Sequence, residues 1–310
     1  MRRRRVRSVQ RARQTPGCLS SLVLALLVLG CAAVGVTMVA AAATAPTRVA
    51  PRLNVLILGL DRRPGEGYAV RSDTMIVLTA YPRIPHVGLI SIPRDLYVDI
   101  PGYGPNRINT AHFWGENEAA GRGPALAMAT VRENLGVDVH RYVRLDFDGF
   151  RAVVDAVGGV DIVVDEPIVD DAYPTEDYGT VRIEIPAGEQ HMDGETALRY
   201  ARSRHGASDF ERAERQQRVM LALARRLLTP SAWPAWPRVL LVGLRHLDTD
   251  LRLGDILHIA VALQRVGPDG IERLVIDDSM TDPWTTPSGA AVLLPRWEAI
   301  RPAVQEMFTP

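Results

Sequence analysis

The segment from Leu19 to Ala45 contains no charged side chain and is rich in Leu, Val and Ala. At about 1.5 Å per residue, a helix of this length crosses the roughly 30 Å hydrocarbon core of a bilayer. Seven arginines precede it within residues 1–14, and such a cluster stays on the cytoplasmic side of a membrane. The sequence therefore predicts a cytoplasmic segment at 1–17, a single transmembrane signal anchor at 18–45, and an extracytoplasmic body.

Two other interpretations of this segment stay open. A secretory signal peptide would be cleaved, and the Ala-rich residues 40–45 offer a cleavage site, although the apolar part of such peptides is usually only ~7–15 residues long. Residues 28–31, Val-Leu-Gly-Cys, loosely match a lipoprotein signal, but the apolar run continues past Cys31. Because Cys18 and Cys31 are the only cysteines, the body has neither a disulfide nor a thiolate metal site.

The formal net charge of zero hides two unlike parts of the chain. All 36 basic residues are arginines, and eight of them lie in the first 50 residues, which contain no acidic residue. Residues 51–310 therefore hold 28 arginines against 36 acidic residues, a net charge of −8. An acidic body argues against nucleic-acid binding, and 47% hydrophobic residues argue against disorder. After a linker at 46–53, the body is long enough for one large domain or two small ones.

Short apolar runs typical of buried strands alternate along the body with segments of helical periodicity. Strands are predicted at 54–60, 74–81, 87–92, 142–145, 160–164, 181–185 and 274–276, and helices at 125–135, 148–157, 193–201, 209–228 and 254–265. The acidic stretch 165–177 is interpreted as a solvated loop, and the proline-rich stretch 230–237 as a packed turn that ends the long helix. This alternation predicts an α/β layered domain with a mixed sheet.

Charged side chains stand at the ends of the first three predicted strands. Asp61 closes the first strand, Arg71 and Asp73 precede the second, and Arg94 and Asp95 follow the third. Ligands bind at strand ends in α/β sheets. Two neighbouring carboxylates repel each other unless a cation lies between them, and with oxygen ligands alone that cation would be Mg²⁺ or Mn²⁺. Asp61 and Asp73 also fit ordinary roles as turn or capping residues.

A second charged group surrounds the start of the long predicted helix. Arg202 and Arg204 follow a short helix, and Arg212 and Gln216 are four residues apart, so they share a helix face. Arginine pairs with phosphate through two parallel hydrogen bonds, and a helix N-terminus favours anions. The group fits a polyphosphate clamp. It also fits a solvated stretch in which the interleaved acidic residues pair with these arginines.

Taken together and in this order, the motifs resemble the LytR-CpsA-Psr family of cell-wall proteins. The resemblance is carried by 54–61, Arg71-Ser72-Asp73-Thr74-Met75, Ser91-Ile92-Pro93-Arg94-Asp95, Arg107-Ile108-Asn109, Val157-Gly158-Gly159-Val160, 193–204 and 209–217. It implies a three-layer α/β/α fold around a central mixed sheet. It also implies a catalytic domain at 54–230 and a C-terminal extension, 231–310, packed on the same domain.

The resemblance implies a function as well. Such proteins are expected to move a teichoic-acid-like, capsular or other wall glycopolymer from a polyprenyl-pyrophosphate carrier to peptidoglycan, forming a phosphodiester. Asp61 and Asp73 would be the metal pair, and Arg94 and Asp95 would lie nearest the reacting centre. The residues implied to bind pyrophosphate are Arg71, Arg94, Arg107, Arg202, Arg204, Arg212 and Gln216. Many members of the family have Lys where this chain has Arg107.

Two rival functions remain consistent with the same residues. With water as the acceptor, the site would be that of a polyprenyl-pyrophosphate phosphatase. Without turnover, the protein would be a membrane-tethered binding or regulatory protein of the cell envelope. All three functions predict the same location: the cell membrane, a single pass with a cytoplasmic N-terminus, and the folded domain outside.

Overall fold

The computed structural model describes residues 52–63, 65–203 and 209–308. The predicted anchor at 18–45 and the predicted phosphate ligand Arg204 lie outside these ranges. Within them, no helix is both long enough and apolar enough to cross a membrane.

Strands and helices alternate along the described chain. The strands are β1 Leu53–Leu60, β2 Ser72–Tyr81, β3 His86–Ser91, β4 Tyr97–Ile100, β5 Gly104–Arg107, β6 Arg141–Leu145, β7 Val160–Val164, β8 Ile168–Pro174, β9 Thr180–Ile185, β10 Gly188–Met192, β11 Asp248–Thr249, β12 Glu272–Val275, β13 Thr281–Thr285 and β14 Ala291–Pro295. The helices are α1 Thr110–Glu118, α2 Gly123–Leu135, α3 Phe147–Ala156, α4 Gly194–Arg202, α5 Asp209–Leu228, α6 Trp236–His246, α7 Leu253–Val266 and α8 Trp297–Phe308. Two short 3₁₀ helices, Pro230–Ala235 and Pro268–Gly270, connect them.

Six strands form one mixed sheet in the order β11-β6-β1-β2-β3-β12. Strand β1 runs parallel to β6, and β3 runs parallel to β12, whereas β2 is antiparallel to both β1 and β3. The carboxyl ends of β1 and β3 and the amino end of β2 therefore meet at one edge of the sheet. This topology brings Asp61, Asp73 and Arg94 to the same place.

Helices cover both faces of the sheet because its central strands are apolar on both sides. On one face, Leu58 and Val77, each 0–1% exposed, pack with α2 and α8. On the other face, Ile76 and Leu89 pack with α5 and α7. Burying one such side chain contributes about 1.5–3 kcal/mol. The result is a mixed sheet between two helical layers, as the sequence predicts.

A smaller apolar core joins α3, α4 and α5 to the ribbon formed by β7 and β10. Asp193 caps helix α4, and its carboxylate accepts a hydrogen bond from the Thr196 amide at 2.8 Å. A Cβ at Gly194 would lie 2.4 Å from the carbonyl oxygen of Arg151. The backbones of α3 and α4 approach this closely only because residue 194 is glycine.

Each strand and helix predicted from the sequence is confirmed, with bounds that differ by at most two residues. The interpretation of 165–177 as a solvated loop is wrong, because β8 lies there and pairs with β9. Asp170 in this strand is 5% exposed and accepts a hydrogen bond from the Ser203 hydroxyl at 2.9 Å, which offsets the cost of burying it. The turn predicted at 230–237 is instead a 3₁₀ helix that runs into α6, with Pro237 in the first turn of that helix.

Candidate active site

Arg94 is the centre of a charged cluster at the edge where β1 and β3 end and β2 begins. Its Nη1 lies 3.2 Å from Asp73 Oδ1, and its Nε lies 3.4 Å from Asp95 Oδ2 and 3.5 Å from Asp209 Oδ2. Burial lowers the pKa of Arg94, but the carboxylates of Asp73, Asp209 and Asp95 outweigh it and raise that pKa above the ordinary value. Arg94 therefore keeps its positive charge under all physiological conditions.

A β-bulge places Asp73 beside Arg94. In the β1–β2 ladder Gly59 pairs with Thr74, but the next residue of β1, Leu60, pairs with Ser72, so Asp73 is the extra residue. Bulges turn a side chain out of the regular alternation and are common beside active sites. A Cβ at Gly59 would lie 2.9 Å from the Thr74 Cβ, so glycine permits this close pairing just before the bulge.

Arg107 and Arg212 extend the cluster on either side. Arg107 Nε lies 3.2 Å from Asp95 Oδ1, and its Nε and Nη2 donate to the carbonyl of Ala291 at 3.0 and 2.6 Å. Arg212 Nη1 lies 2.7 Å from Asp209 Oδ1. Carboxylates thus hold the arginines apart and in fixed positions. A lysine in place of Arg107 could not repeat this forked contact.

Asp61 and Arg202 form a neighbouring pair at the same edge. Arg202 Nη2 lies 3.6 Å from Asp61 Oδ2, and its Nη1 lies 3.3 Å from the Tyr173 hydroxyl. The guanidinium of Arg202 also lies 3.8 Å from the centre of the Phe147 ring. Burial raises the pKa of Tyr173, against the opposing effect of Arg202, so the tyrosine stays neutral beside the cation.

The donor set at this edge fits Mg²⁺. Asp61 Oδ1 is buried, and no hydrogen-bond partner for it exists among the described residues. Such an atom is costly unless something binds it. Residues 52–63, 65–203 and 209–308 contain no group of three or more His, Cys, Asp or Glu placed around one point. Mg²⁺ is commonly held by one or two carboxylates together with water and substrate phosphates, so Asp61 and Asp73 suffice for it.

The structure places the remaining predicted site residues as follows. Arg71 is exposed just before β2, two residues before Asp73 in the chain. Gln216 is half-buried one turn after Arg212 on α5. The fold brings Asp73, Arg94, Asp95, Arg107 and Arg212 into one chain of contacts, and it places Asp61 and Arg202 in the adjoining pair.

Sequence reasoning missed three residues of this site. Asp209 lies at the start of α5 and links Arg94 to Arg212. The backbone of Asn109 bonds to the Arg94 carbonyl at 3.2 Å, and its side-chain oxygen is buried without a hydrogen-bond partner in the described chain. Gln217 donates to the Ser91 hydroxyl at 2.9 Å and so ties α5 to the end of β3. The sequence signal for these three residues is that they lie in segments 107–109 and 209–217, which carry the family resemblance.

A buried ionic network supports the segment that leads into β2. Arg144, 5% exposed, pairs with Asp248 and lies 2.5 Å from Glu116 Oε1. Its Nη1 also lies 3.2 Å from His112 Nε2, while His112 Nδ1 lies 2.8 Å from the Val70 carbonyl. A carbonyl only accepts, so Nδ1 carries the proton and Nε2 accepts from Arg144. His112 is therefore neutral in the fold, and burial is the main cause that lowers its pKa.

This network predicts a loss of stability in mild acid. Unfolded histidine has a pKa near 6.5, whereas the pKa of His112 in the fold is lower, so the unfolded state binds more protons. The unfolding temperature should fall as the pH drops from about 7.5 to about 5, before most carboxylates titrate. Thermal unfolding followed by circular dichroism measures this.

The control compares two histidine variants over the same pH range. His112→Gln should flatten part of the decline. His191→Gln should keep the part of the decline that is due to His112, because His191 is 59% exposed and lies outside this network. His258, whose pKa burial also lowers, is present in both variants. An equal decline in the two variants would contradict this role of His112.

Comparisons with known proteins agree with the fold and identify the family. A profile of the LytR_cpsA_psr family matches residues 38–293. A polyisoprenyl-teichoic acid–peptidoglycan teichoic acid transferase TagU of Oceanobacillus iheyensis is 38% identical over 55% of this chain and 50% of its own length. The crystal structure of B. subtilis TagV superposes with a TM-score of 0.67 at 28% identity, covering 84% of this chain and 98% of that one. A structure of TagT bound to LIIa-WTA superposes with a TM-score of 0.67 at 26% identity, covering 83% of this chain and 90% of that one.

The chain spans about half to two thirds of the length of the curated transferases that it matches. The family match is broader, because it takes in more than half of the chain and includes every described residue of the charged edge. The chain therefore belongs to the LytR_cpsA_psr family.

Proposed function

We propose that this protein is a Mg²⁺-dependent phosphotransferase that moves a wall glycopolymer from a polyprenyl-pyrophosphate carrier to peptidoglycan. The observation that carries the proposal is the row of arginines fixed by carboxylates beside Asp61, whose buried Oδ1 has no hydrogen-bond partner among the described residues. The names of the curated relatives, which are teichoic acid transferases, support the same class of reaction. The polymer would be teichoic-acid-like, capsular or another wall polysaccharide.

The cluster around Arg94 is suited to hold a pyrophosphate. Arg94 Nε lies at ion-pair distance from Asp95 and Asp209 but donates no hydrogen bond within the described residues. That donor, with the N–H groups of Arg107 and Arg202 that do not bond to Ala291 or Tyr173, is proposed to bind phosphate oxygens, which bind guanidinium groups strongly. Arg212, Gln216, Arg204 and the exposed Arg71 complete the proposed binding group.

The proposed reaction is an in-line displacement at phosphorus. A hydroxyl of the peptidoglycan glycan attacks the phosphorus that carries the polymer, and the bond from that phosphorus to the bridging oxygen breaks. Polyprenyl phosphate leaves with the electron pair, and the polymer remains linked to the glycan by a phosphodiester. Charge grows on the leaving phosphate, so fixed arginines lower the barrier, and no covalent enzyme intermediate is needed.

A carboxylate at the edge can accept the proton of the attacking hydroxyl. Asp95 is oriented by Arg94 and Arg107, which makes it the first candidate for this base, and Asp61 is the second. A bound Mg²⁺ would supply further positive charge to the phosphates and would be held by Asp61 and Asp73.

The location proposed for this reaction is the outer face of the cell membrane. The charge-free segment 18–45 behind an arginine cluster supports a single-pass anchor with a cytoplasmic N-terminus. The donor lipid and the wall acceptor meet on that side. The acidic body, with its positive charge gathered at the site, suits a protein that must bind one phosphate group among anionic polymers.

Metal removal should stop the reaction. A chelator is expected to lower the transfer rate by about 10²-fold or more, since several kcal/mol of charge stabilisation are lost, and added Mg²⁺ should restore it. Asp61→Asn should shift the rate to a higher Mg²⁺ requirement. Initial rates against Mg²⁺ concentration, and Mn²⁺ binding followed by electron paramagnetic resonance, measure the two effects.

Asp138→Asn is the matched control, because Asp138 is 71% exposed and far along the chain from the site. It should keep the wild-type metal dependence. Full activity in the presence of chelator would contradict the proposed Mg²⁺ dependence. The same metal dependence in Asp61→Asn as in wild type would contradict the role of Asp61 as a metal ligand.

Mass spectrometry of the full-length protein purified from its membrane tests the donor. We expect a co-purified polyprenyl pyrophosphate, and we expect Arg94→Ala to lose it. A wild-type protein that carries no such lipid and does not bind it when it is added would contradict the proposed donor.

A further inference from the structure

A cavity of about 440 Å³ lies beside the proposed reaction edge, between the loop after β1, helix α3 and the end of α6. This volume is within the range of about 300–1,000 Å³ that is usual for small-molecule sites. Its charged lining residues are Arg62, Arg151, Arg245, Asp146, Asp148 and Asp155. None of these residues belongs to the proposed pyrophosphate or metal group.

Only the first turn of α3 separates this cavity from the reaction edge. Asp146 caps α3 and forms an ion pair with Arg62, which lines the cavity. The next residue, Phe147, lies under Arg202, the partner of Asp61. Arg62 in turn directly follows Asp61 in the chain. The cavity therefore adjoins residues that contact the proposed reaction edge.

The charged, polar lining of the cavity disfavours two parts of the donor, its phosphate groups and its prenyl chain. Three arginines face three aspartates, so the lining is neutral overall. Asp146 and Asp148 already pair with Arg62 and Arg151, so little net positive charge is left for a second phosphate, and a prenyl chain would find few apolar groups to cover it. The cavity therefore suits a ligand that is uncharged and strongly polar.

Fixed donors and acceptors at close spacing match a saccharide. Arg151 is held by Asp148 at 2.5 Å and by Glu176 at 2.6 Å, and Asp155 is held by the Gly194 amide at 2.7 Å. The Nε of Arg62 is buried and donates to no acceptor within the described chain. Hydroxyl and acetamido groups both donate and accept, so one sugar ring can satisfy such a mixed lining.

We propose that this cavity binds an uncharged saccharide unit of the acceptor glycan strand and thereby presents the adjoining hydroxyl to the reacting phosphate. The proposal rests on the proposed transferase function. It names the acceptor side of the site and the chemistry that recognises it.

Two variants test the proposal in the full-length protein. Ala152→Trp fills the cavity from α3, where Ala152 is half-buried in its wall, and leaves every charged group in place. Arg245→Ala removes one donor from α6 and keeps the cavity open. Arg238→Ala is the matched control, because Arg238 is an exposed residue of the same helix that does not line the cavity.

The first readout is direct binding of tetra-N-acetylchitotetraose, an uncharged glycan, followed by nuclear magnetic resonance titration. We expect the Kd to rise at least fivefold in Ala152→Trp and in Arg245→Ala, and to stay unchanged in Arg238→Ala. Thermal unfolding of each variant checks that the fold is intact. Equal glycan binding by wild type and both cavity variants would overturn the proposal.

The second readout separates the acceptor from the donor. The KM for a peptidoglycan fragment should rise about tenfold in the cavity variants, while the Kd of the donor, measured without acceptor, should stay unchanged. An equal rise of the donor Kd would place the donor sugar in the cavity and overturn the acceptor assignment. Wild-type protein that binds the glycan but turns over no donor would contradict the transferase function and leave the glycan site standing.

Discussion

Replacing Arg94 by Ala is expected to lower the rate of glycopolymer transfer by about 10³-fold, the scale at which removal of one fixed transition-state donor acts. The variant also leaves Asp73, Asp95 and Asp209 without the cation that they share, so three carboxylates would then repel the pyrophosphate. Single-turnover rates with a saturating amount of donor measure the effect on the chemical step.

Two further variants control this prediction. Arg94→Lys keeps the charge but cannot reach several carboxylates from a planar fork, so its rate should fall between those of wild type and Arg94→Ala. Arg132→Ala removes an exposed arginine that pairs with Asp138 at 2.9 Å, and it should keep the wild-type rate. Transfer by Arg94→Ala at more than a tenth of the wild-type rate would mean that Arg94 is not at the reacting centre.

Replacing Arg144 by Met is expected to lower the free energy of unfolding by about 3–5 kcal/mol, the cost of leaving a buried charge without its partner. Glu116 is only 4% exposed and lies 2.5 Å from Arg144. Burial raises the pKa of Glu116, but the Gly121 amide and Arg144 outweigh it, so the carboxylate is charged in the fold. Denaturant unfolding of the full-length protein, followed by circular dichroism, measures the change.

An exposed ion pair provides the comparison. Arg122 pairs with Glu118 on the surface of the α1–α2 region, both more than 40% exposed, and Arg122→Met should cost less than about 1 kcal/mol. Adding Glu116→Gln to Arg144→Met should recover part of the stability, because it removes the unpaired charge. A cost for Arg144→Met no larger than that for Arg122→Met would show that the network does not stabilise this edge of the sheet.

The strongly patterned parts of the fold could be predicted from the sequence. Strands β1, β2 and β3 are continuous apolar runs, and α5 keeps helical periodicity over 20 residues. The ribbons β4–β5 and β13–β14 escaped prediction because prolines interrupt their pattern, as Pro105 does in β5 and Pro283 does in β13. Helix α6 contains Pro237, which favoured a turn over a helix, and α8, which was not predicted, contains Pro302.

The candidate site also has one part that could be predicted from the sequence and one part that could not. Asp61, Asp73 and Arg94 could be predicted because the ends of neighbouring strands meet at one edge, and the sequence shows where each strand ends. The contacts of Arg202 could not, since its partners Phe147 and Tyr173 lie far away in the chain. Nor could helical periodicity show that Gln217 is buried against Ser91 while Gln216 is only half-buried. Such details depend on packing between elements distant in sequence.

The most direct test of the central claim is product analysis with the full-length protein in lipid vesicles. The vesicles contain a polyprenyl-pyrophosphate-linked glycopolymer with labelled phosphorus, and peptidoglycan is added or withheld. We predict a labelled phosphodiester between polymer and glycan, with release of polyprenyl phosphate, only when peptidoglycan is present. Release of phosphorylated polymer without any linkage to the glycan would instead identify a hydrolase, and an unconsumed donor would identify a binding protein; either result would contradict the transferase.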